Sequence, residues 1–186
     1  MKLVQLPRDA LLKPLQAVTG IVERRHTLPI LSNVLIERTA DSLRFVATDL
    51  ELQIATSCVL DKKNGEPLSV TVSARKLVDI LRALPDGSDV ALEVVNNRLQ
   101  VKAGKSRFNL QTLPAADFPA LADPGTPQSR FQISQGATRN LLALVQFAMA
   151  QQDIRYYLNG LLLVTEGKEI RVVATDGHRL SYAVTE

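Results

Sequence analysis

Hydrophobic and polar positions along the chain follow two periods. Three stretches repeat at helical spacing. The first runs from about Asp9 to Glu23, with Leu11, Leu12, Leu15, Val18 and Val22 on one face. Pro14 falls inside it, so this helix either starts late or tolerates a kink, because proline removes a main-chain donor. The second runs from Ser73 to Leu84. Ser73 suits an N-cap, Leu77, Ile80, Leu81 and Leu84 form the apolar stripe, and Pro85 follows the end. Its other face carries Arg75, Asp79 and Arg82. The third runs from Ser134 to Met149, with Leu141, Leu144, Val145 and Ala148 inward. Most of the remainder has the spacing of short strands. Leu43 to Ala47 alternates loosely, and Val90 to Val95 and Arg98 to Val101 flank the two-residue turn Asn96-Asn97. Ala103-Gly104 marks the next turn, into a strand from Arg107 to Leu113. The stretch Asp117 to Gln128, with Pro119, Pro124, Pro127 and Gly125, is the best domain boundary.

These elements occur twice. Val46-Ala47-Thr48-Asp49 returns as Val173-Ala174-Thr175-Asp176, and Ile30 to Ile36 lines up with Tyr157 to Leu162. Asn33 and Asn159 correspond at an offset of 126, and Thr48 and Thr175 at 127. The preceding helices match through Leu11-Leu12 and Leu141-Leu142, with a loop four residues shorter in the second copy. Each unit is expected to begin helix, strand, strand, Thr-Asp and another strand. After Thr48-Asp49 the first continues for about 70 residues, with a further strand, the second helix and three more strands, whereas ten residues follow Asp176. The expected organisation is a complete unit over 1–122, a linker over 123–129 and a truncated unit over 130–186, cut from a longer protein. Such a half-sheet exposes apolar surface and open strand edges.

Composition narrows the function classes. Of 186 residues 46% are apolar, enough for a core, and 22% are charged and well mixed, which argues against disorder. No apolar run approaches a membrane span, and Met1 to Pro7 is too short and too polar for a signal peptide. Cys58 is alone, so no internal disulfide forms, which fits a reducing cytoplasm. A net charge of +3 and a pI near 9.2 permit an anionic partner without demanding one.

For catalysis, the stretch to weigh is Thr175-Asp176-Gly177-His178-Arg179, since Asp and His groups meet in space rather than in sequence. No nucleophile elbow, phosphate loop or dinucleotide fingerprint accompanies it. Two histidines and one cysteine, widely separated, make a poor zinc set, and no metal or cofactor is expected. A turn or surface role for His178 outweighs a hydrolytic enzyme using Asp176 and His178. The first copy follows its Thr-Asp with Leu50-Glu51-Leu52. The shared Thr-Asp is therefore expected to be structural, bonding nearby main-chain amides, and the divergent Gly-His-Arg-Leu to serve a binding groove. Arg75 and Arg82 share a helix face that suits phosphates without reading sequence. A stand-alone, non-specific DNA-binding module is thus a second alternative. Gln152, Tyr156 and Tyr157 sit beside Arg155 after the third helix, where paired tyrosines either fill a core or stack on bases.

Four motifs, Thr27 to Leu31, Leu113 to Pro119, Asp153 to Gly160 and Ala174 to Leu180, together resemble the bacterial DNA polymerase III beta subunit family, the sliding clamps. The resemblance runs along essentially the whole chain. It implies an α+β DNA-clamp fold: repeated units with antiparallel sheet outside and two helices inside, three similar domains per chain, and a homodimer closed head to tail around duplex DNA. It implies a non-catalytic, cytoplasmic processivity factor without membrane contact. DNA contacts map onto Gln152, Tyr156, Tyr157 and one of Arg24 and Arg25, whose loop from Val22 to His26 is bulkier than a glycine-rich version. A peptide groove for the DNA polymerase III alpha subunit, the clamp loader and other clamp-binding-motif proteins maps onto Arg155, Leu158, Thr175, Gly177, His178, Arg179 and Leu180. That is half a groove, and the chain is expected to be unable to close the ring. The basic pI departs from the family's typically acidic chains.

Overall fold

The structure, a computed structural model, describes residues 1–22, 28–60, 66–121, 125–126 and 130–185. Arg24 and Arg25 lie outside the described residues, as does the expected helix end at Glu23. The chain divides into two compact units, Met1–Asp123 and Pro124–Glu186. Among the described residues no helix is long and apolar enough to cross a membrane.

The first unit consists of two similar halves. One is β1 (Lys2–Pro7), α1 (Arg8–Thr19), β2 (Asn33–Arg38), β3 (Ser42–Thr48) and β4 (Gln53–Val59). The other is β5 (Leu68–Ser73), α2 (Ala74–Ala83), β6 (Asp89–Val95), β7 (Arg98–Ala103) and β8 (Ser106–Leu113). They form one antiparallel sheet in the order β1-β6-β7-β8-β5-β2-β3-β4. The first strand of each half crosses over, β1 onto β6 and β5 onto β2, so neither half completes its sheet alone. α1 and α2 pack together on one face, where Leu11, Leu15, Val18, Leu77 and Leu81 meet Ile36, Phe45, Leu92 and Leu99. Each such side chain, fully buried, contributes about 1.5–3 kcal/mol. That gain explains why α1 runs through Pro14 despite one lost hydrogen bond. The Pro14 carbonyl accepts from Thr56 Oγ1 at 2.9 Å.

Several expectations shift here. β1 was not anticipated, and two strands, β4 and β5, precede α2 instead of one. Ser73 stands at the N-cap position of α2, but its side chain makes no capping bond. The Asn96-Asn97 turn has positive φ at both residues, 49° and 56°, as a tight hairpin requires. The next turn falls one residue later than expected, at Gly104-Lys105, because Ala103 still pairs with Ser106. On the sheet face away from the helices, Leu35 and Val46 are covered by Phe118, with Ile30 and Ala115 beside them.

The second unit contains α3 (Gln135–Val145), continued by a 3-10 turn at Gln146–Ala148, then β9 (Leu162–Glu166), β10 (Glu169–Thr175) and β11 (Leu180–Thr185) in the order β11-β10-β9. Ser134 caps α3, its Oγ accepting from Ala137 N at 3.1 Å. Leu141, Val145 and Ala148 face Ile170, Val172, Ala174 and Ala183. Leu144, expected inward, is 60% exposed, because the buried stripe runs through Leu141 and Val145 to Ala148 in the 3-10 turn and Leu144 falls beside it.

The repeat holds at one constant offset through the strands. Leu35 opposite Val46 recurs as Leu162 opposite Val173, and Thr48 opposite Gln53 as Thr175 opposite Leu180, an offset of 127. Gly160, not Asn159, is therefore the counterpart of Asn33. The buried helix positions Leu11, Leu15 and Val18 recur as Leu141, Val145 and Ala148, so the intervening loop is three residues shorter, not four. In this copy the outer face, with Leu162, Leu180, Tyr182 and Val184, is exposed.

Candidate functional site

The Thr-Asp pair builds the same turn in both units. Thr48 Oγ1 donates to Leu52 O at 2.7 Å and accepts from Leu50 N at 3.1 Å. Asp49 Oδ1 accepts from Glu51 N and Leu52 N at 3.0 and 2.7 Å. In the second unit Thr175 Oγ1 donates to Arg179 O at 2.7 Å and accepts from Gly177 N at 3.1 Å. Asp176 Oδ1 accepts from His178 N and Arg179 N, both at 2.9 Å. The expected structural role of Thr-Asp is what the hydrogen bonds show. The third residue takes positive φ in both turns, 81° at Leu50 and 89° at Gly177. Glycine adopts that conformation freely, whereas leucine is strained in it.

The turn also settles how Asp176 relates to His178. The two backbone N–H groups and Arg179 Nε, at 2.9 Å from Oδ2, hold the Asp176 carboxylate. These backbone bonds, with the adjacent guanidinium, hold its pKa below the ordinary carboxylate range. Among the described residues its carboxylate makes no hydrogen bond to the imidazole, so the pair lacks the orientation that a catalytic Asp-His pair uses. His178 is exposed, as a turn residue would be. No group of three or more His, Cys, Asp or Glu among the described residues is arranged to hold a metal ion.

A loop from Ala150 to Gly160 faces this turn. Tyr156, Tyr157 and Leu158 form a 3-10 turn, closed by Leu158 N to Arg155 O at 2.9 Å and Asn159 N to Tyr156 O at 3.0 Å. Both tyrosines are exposed, 82% and 68%, which removes the core-filling alternative for them. Their rings meet edge to face with centroids 5.9 Å apart. Gln152 is exposed with φ of 56°. Arg155 does not project freely. Its Nε and Nη2 donate to Asp153 Oδ1 and Oδ2 at 3.0 and 2.7 Å, and Nη2 also reaches Asp176 O at 3.4 Å. The guanidinium hydrogen bonds push the Asp153 carboxyl down to about 2. Arg179 reaches the ring of Phe147, its guanidinium carbon 5.8 Å from the centroid. Leu158 is half-buried and Leu180 exposed.

Asp153, Asn159 and Phe147 were missed as site residues from sequence. The Asp-x-Arg spacing at 153 and 155 carried a signal, because an Asp side chain commonly accepts from the main-chain amide two residues on, as Asp153 Oδ1 does from Arg155 N at 2.8 Å. Nothing in the sequence joins Phe147 to Arg179.

In the first unit, Arg75 and Arg82 stand on the exposed side of α2, as their spacing predicts. Both are tied to the neighbouring helix region. Arg75 Nη2 donates to Val22 O at 2.7 Å, and Arg82 Nε and Nη2 reach the Gln16 amide oxygen at 3.1 Å in the amide orientation that satisfies both groups. Each guanidinium keeps donors for an anion. Asp79, on the same face, offsets part of their charge.

Residues 1–122 match the family model for the DNA polymerase III beta subunit, N-terminal domain, and residues 132–186 the model for its central domain. The chain is similar to the beta sliding clamp of Pseudomonas aeruginosa, 51% identical over 176 residues, covering 95% of this chain and 47% of that relative. It is 48% identical over 174 residues to the beta sliding clamp of Escherichia coli strain K12, covering 94% and 47%. The crystal structure of the DNA polymerase III subunit beta from Pseudomonas aeruginosa superimposes with a TM-score of 0.90 at 49% identity, over 100% of this chain and 50% of that one. The chain spans about half the length of the curated relatives it matches.

Proposed function

Because the chain belongs to the DNA polymerase III beta subunit family, we propose that it acts as part of a sliding clamp, a non-catalytic processivity factor that tethers a DNA polymerase to duplex DNA. The observation that carries the reading is the similarity to beta sliding clamps along 95% of the chain. In this reading 1–122 is a clamp domain, 123–129 a linker and 130–186 the opening part of a second domain. Full-length chains pair head to tail into a ring in the cytoplasm.

A clamp holds DNA by topology, so its DNA contacts should be weak and indifferent to sequence. Arg75 and Arg82 on the exposed side of α2 suit that role, together with Gln152, Tyr156, Tyr157 and Arg24 or Arg25. The exposed tyrosines offer aromatic faces for bases or sugars. A separate surface, Arg155, Leu158, Thr175, Gly177, His178, Arg179 and Leu180, takes a short linear peptide from the polymerase alpha subunit, the clamp loader and other partners. It combines apolar side chains with a turn whose amides are already satisfied. Holding the polymerase there raises its effective concentration at the primer end.

The test is topological. The full-length protein carrying this sequence, loaded by its clamp loader, should stay on nicked circular DNA and slide off when the circle is linearised. Equal retention on linear DNA with free ends would overturn the ring reading in favour of a module that grips DNA directly.

A further inference from the structure

One side chain in the second unit is fixed more firmly than its exposure requires, and the proposed partner surface does not include it. Asp153 Oδ1 accepts from Arg155 N at 2.8 Å and from Arg155 Nε at 3.0 Å, while Oδ2 accepts from Nη2 at 2.7 Å. The Asp153 backbone is clasped in turn by the Asn159 amide, which accepts from Asp153 N at 3.0 Å and donates to Asp153 O at 2.9 Å. The main chain that carries the carboxylate is therefore held in place. A bidentate, charge-assisted pair of this kind is directional as well as strong.

What the pair aims at is Gly177. A Cβ placed on that glycine would lie 3.2 Å from Arg155 Nη1, 3.5 Å from Nη2 and 3.7 Å from Cζ, so the Nη1–Nη2 edge of the guanidinium abuts the turn and would have to give by a few tenths of an ångström to admit a side chain. Arg155 Nη2 also reaches the Asp176 carbonyl. The Asp176 carboxylate in turn holds Arg179, which ends on the Phe147 ring. Asp153, Arg155, Asp176 and Arg179, of alternating charge, thus run from the tyrosine loop to the turn, with the Asp176 carbonyl as the middle link. The loop carries Leu158 and the turn leads into Leu180, so the chain of charges spans the two apolar residues of the proposed partner surface.

Resting on the partner-surface reading above, we infer that Asp153 is a positioning residue. It lays Arg155 across Gly177 and thereby sets the separation of the Tyr156–Leu158 loop from the Thr175–Leu180 turn, without touching the partner peptide. Arg155 is accordingly a strut first: its Nε and Nη2 are bonded to Asp153, and its Nη1 lies nearest Gly177.

The test uses the full-length protein carrying this sequence, its Asp153→Asn and Arg155→Ala variants and the double variant. Asp153→Asn preserves shape and removes the charge. Two readouts are taken: affinity for a synthetic peptide ending in Leu-Phe, and amide hydrogen exchange at Gly177, His178 and Arg179. Each single variant is expected to weaken the peptide about tenfold and to speed exchange in the turn, with an unchanged thermal midpoint. The double variant should be no weaker than Arg155→Ala alone, since Asp153 acts through Arg155. Independent, multiplying losses would overturn the inference, as would unchanged exchange in Asp153→Asn. If exchange accelerates but the unsubstituted protein does not bind the peptide, the partner-surface reading fails while the link from Asp153 to the turn stands.

Discussion

The two units share a backbone device and differ in what they place on it. Both close a strand with the same Thr-Asp turn, hydrogen bond for hydrogen bond. In the first unit the turn continues as Leu50-Glu51-Leu52, and leucine occupies a positive φ that favours glycine. In the second it continues as Gly177-His178-Arg179, with Arg155 lying against the glycine. The outer sheet faces differ in the same sense. Phe118 covers Leu35 and Val46 in the first unit, while Leu162, the counterpart of Leu35 by the repeat, is exposed in the second. The repeat transmits turn geometry and strand register, and the side chains between those fixed points carry the specialisation.

The largest expected effect separates the covered face from the bare one. Phe118→Ala should destabilise the first unit by about 3 kcal/mol, as removal of a buried aromatic ring generally does. Leu162→Ser, at the position that repeats Leu35, should change stability by less than about 0.5 kcal/mol because the side chain is 61% exposed. Urea unfolding of the two variants of this chain checks the pair. Equal costs would mean that the face of the second unit is covered in solution, and the contrast would fail.

How much of this was legible depended on whether a residue's role was local. The helix stripes were readable because burial imposes the 3.6-residue period, and Leu141, Val145 and Ala148 kept it. Leu144 was misread since it sits three residues from Leu141, at the margin of the stripe. β1 escaped notice because a bulge between Lys2 and Val4 buries Leu3 and Val4 in succession and breaks the alternation. The structural role of Thr-Asp could be read by comparing the copies, because the pair recurs with different followers. The one-residue error at Asn159 arose from aligning like residues, when strand register is the physical constraint. Arg155 was expected to meet a partner, and its bond to Asp153 is local. Its approach to Gly177 depends on packing between segments more than twenty residues apart, which no spacing rule expresses.

A smaller effect tests the turns against each other. Gly177→Ala should destabilise the second unit by about 1 kcal/mol, since it adds a Cβ at φ of 89° and pushes on Arg155. Leu50→Gly should leave the first unit within about 0.5 kcal/mol of its starting stability. There, relief of strain at φ of 81° offsets the greater freedom that glycine has in the unfolded chain. Thermal unfolding of each variant measures both. A large loss in Leu50→Gly would show that its side chain holds the first turn, and the two turns would no longer be equivalent.

The smallest expected effect is a pH dependence confined to the second unit's loop. Asp153 titrates at about 2 in the folded protein, below its ordinary value of 3.8, because Arg155 bonds its charged form. A carboxyl whose folded pKa is depressed stabilises above its unfolded value and loses that contribution as pH falls through the folded value. The Asp153–Arg155 contact should therefore be intact above about pH 4 and lost progressively towards about pH 2. The pair is solvent-exposed, so the change is expected in local order more than in global stability. NMR signals of Gly177 and Arg155 should shift over that window, and Asp153→Asn should flatten the Arg155 response. Asp176 also titrates low, so a residual Gly177 shift in Asp153→Asn would belong to the Asp176 carboxylate that binds the turn amides. An Arg155 response unchanged by Asp153→Asn would separate the loop from the turn and leave the second unit with no more internal coupling than the first.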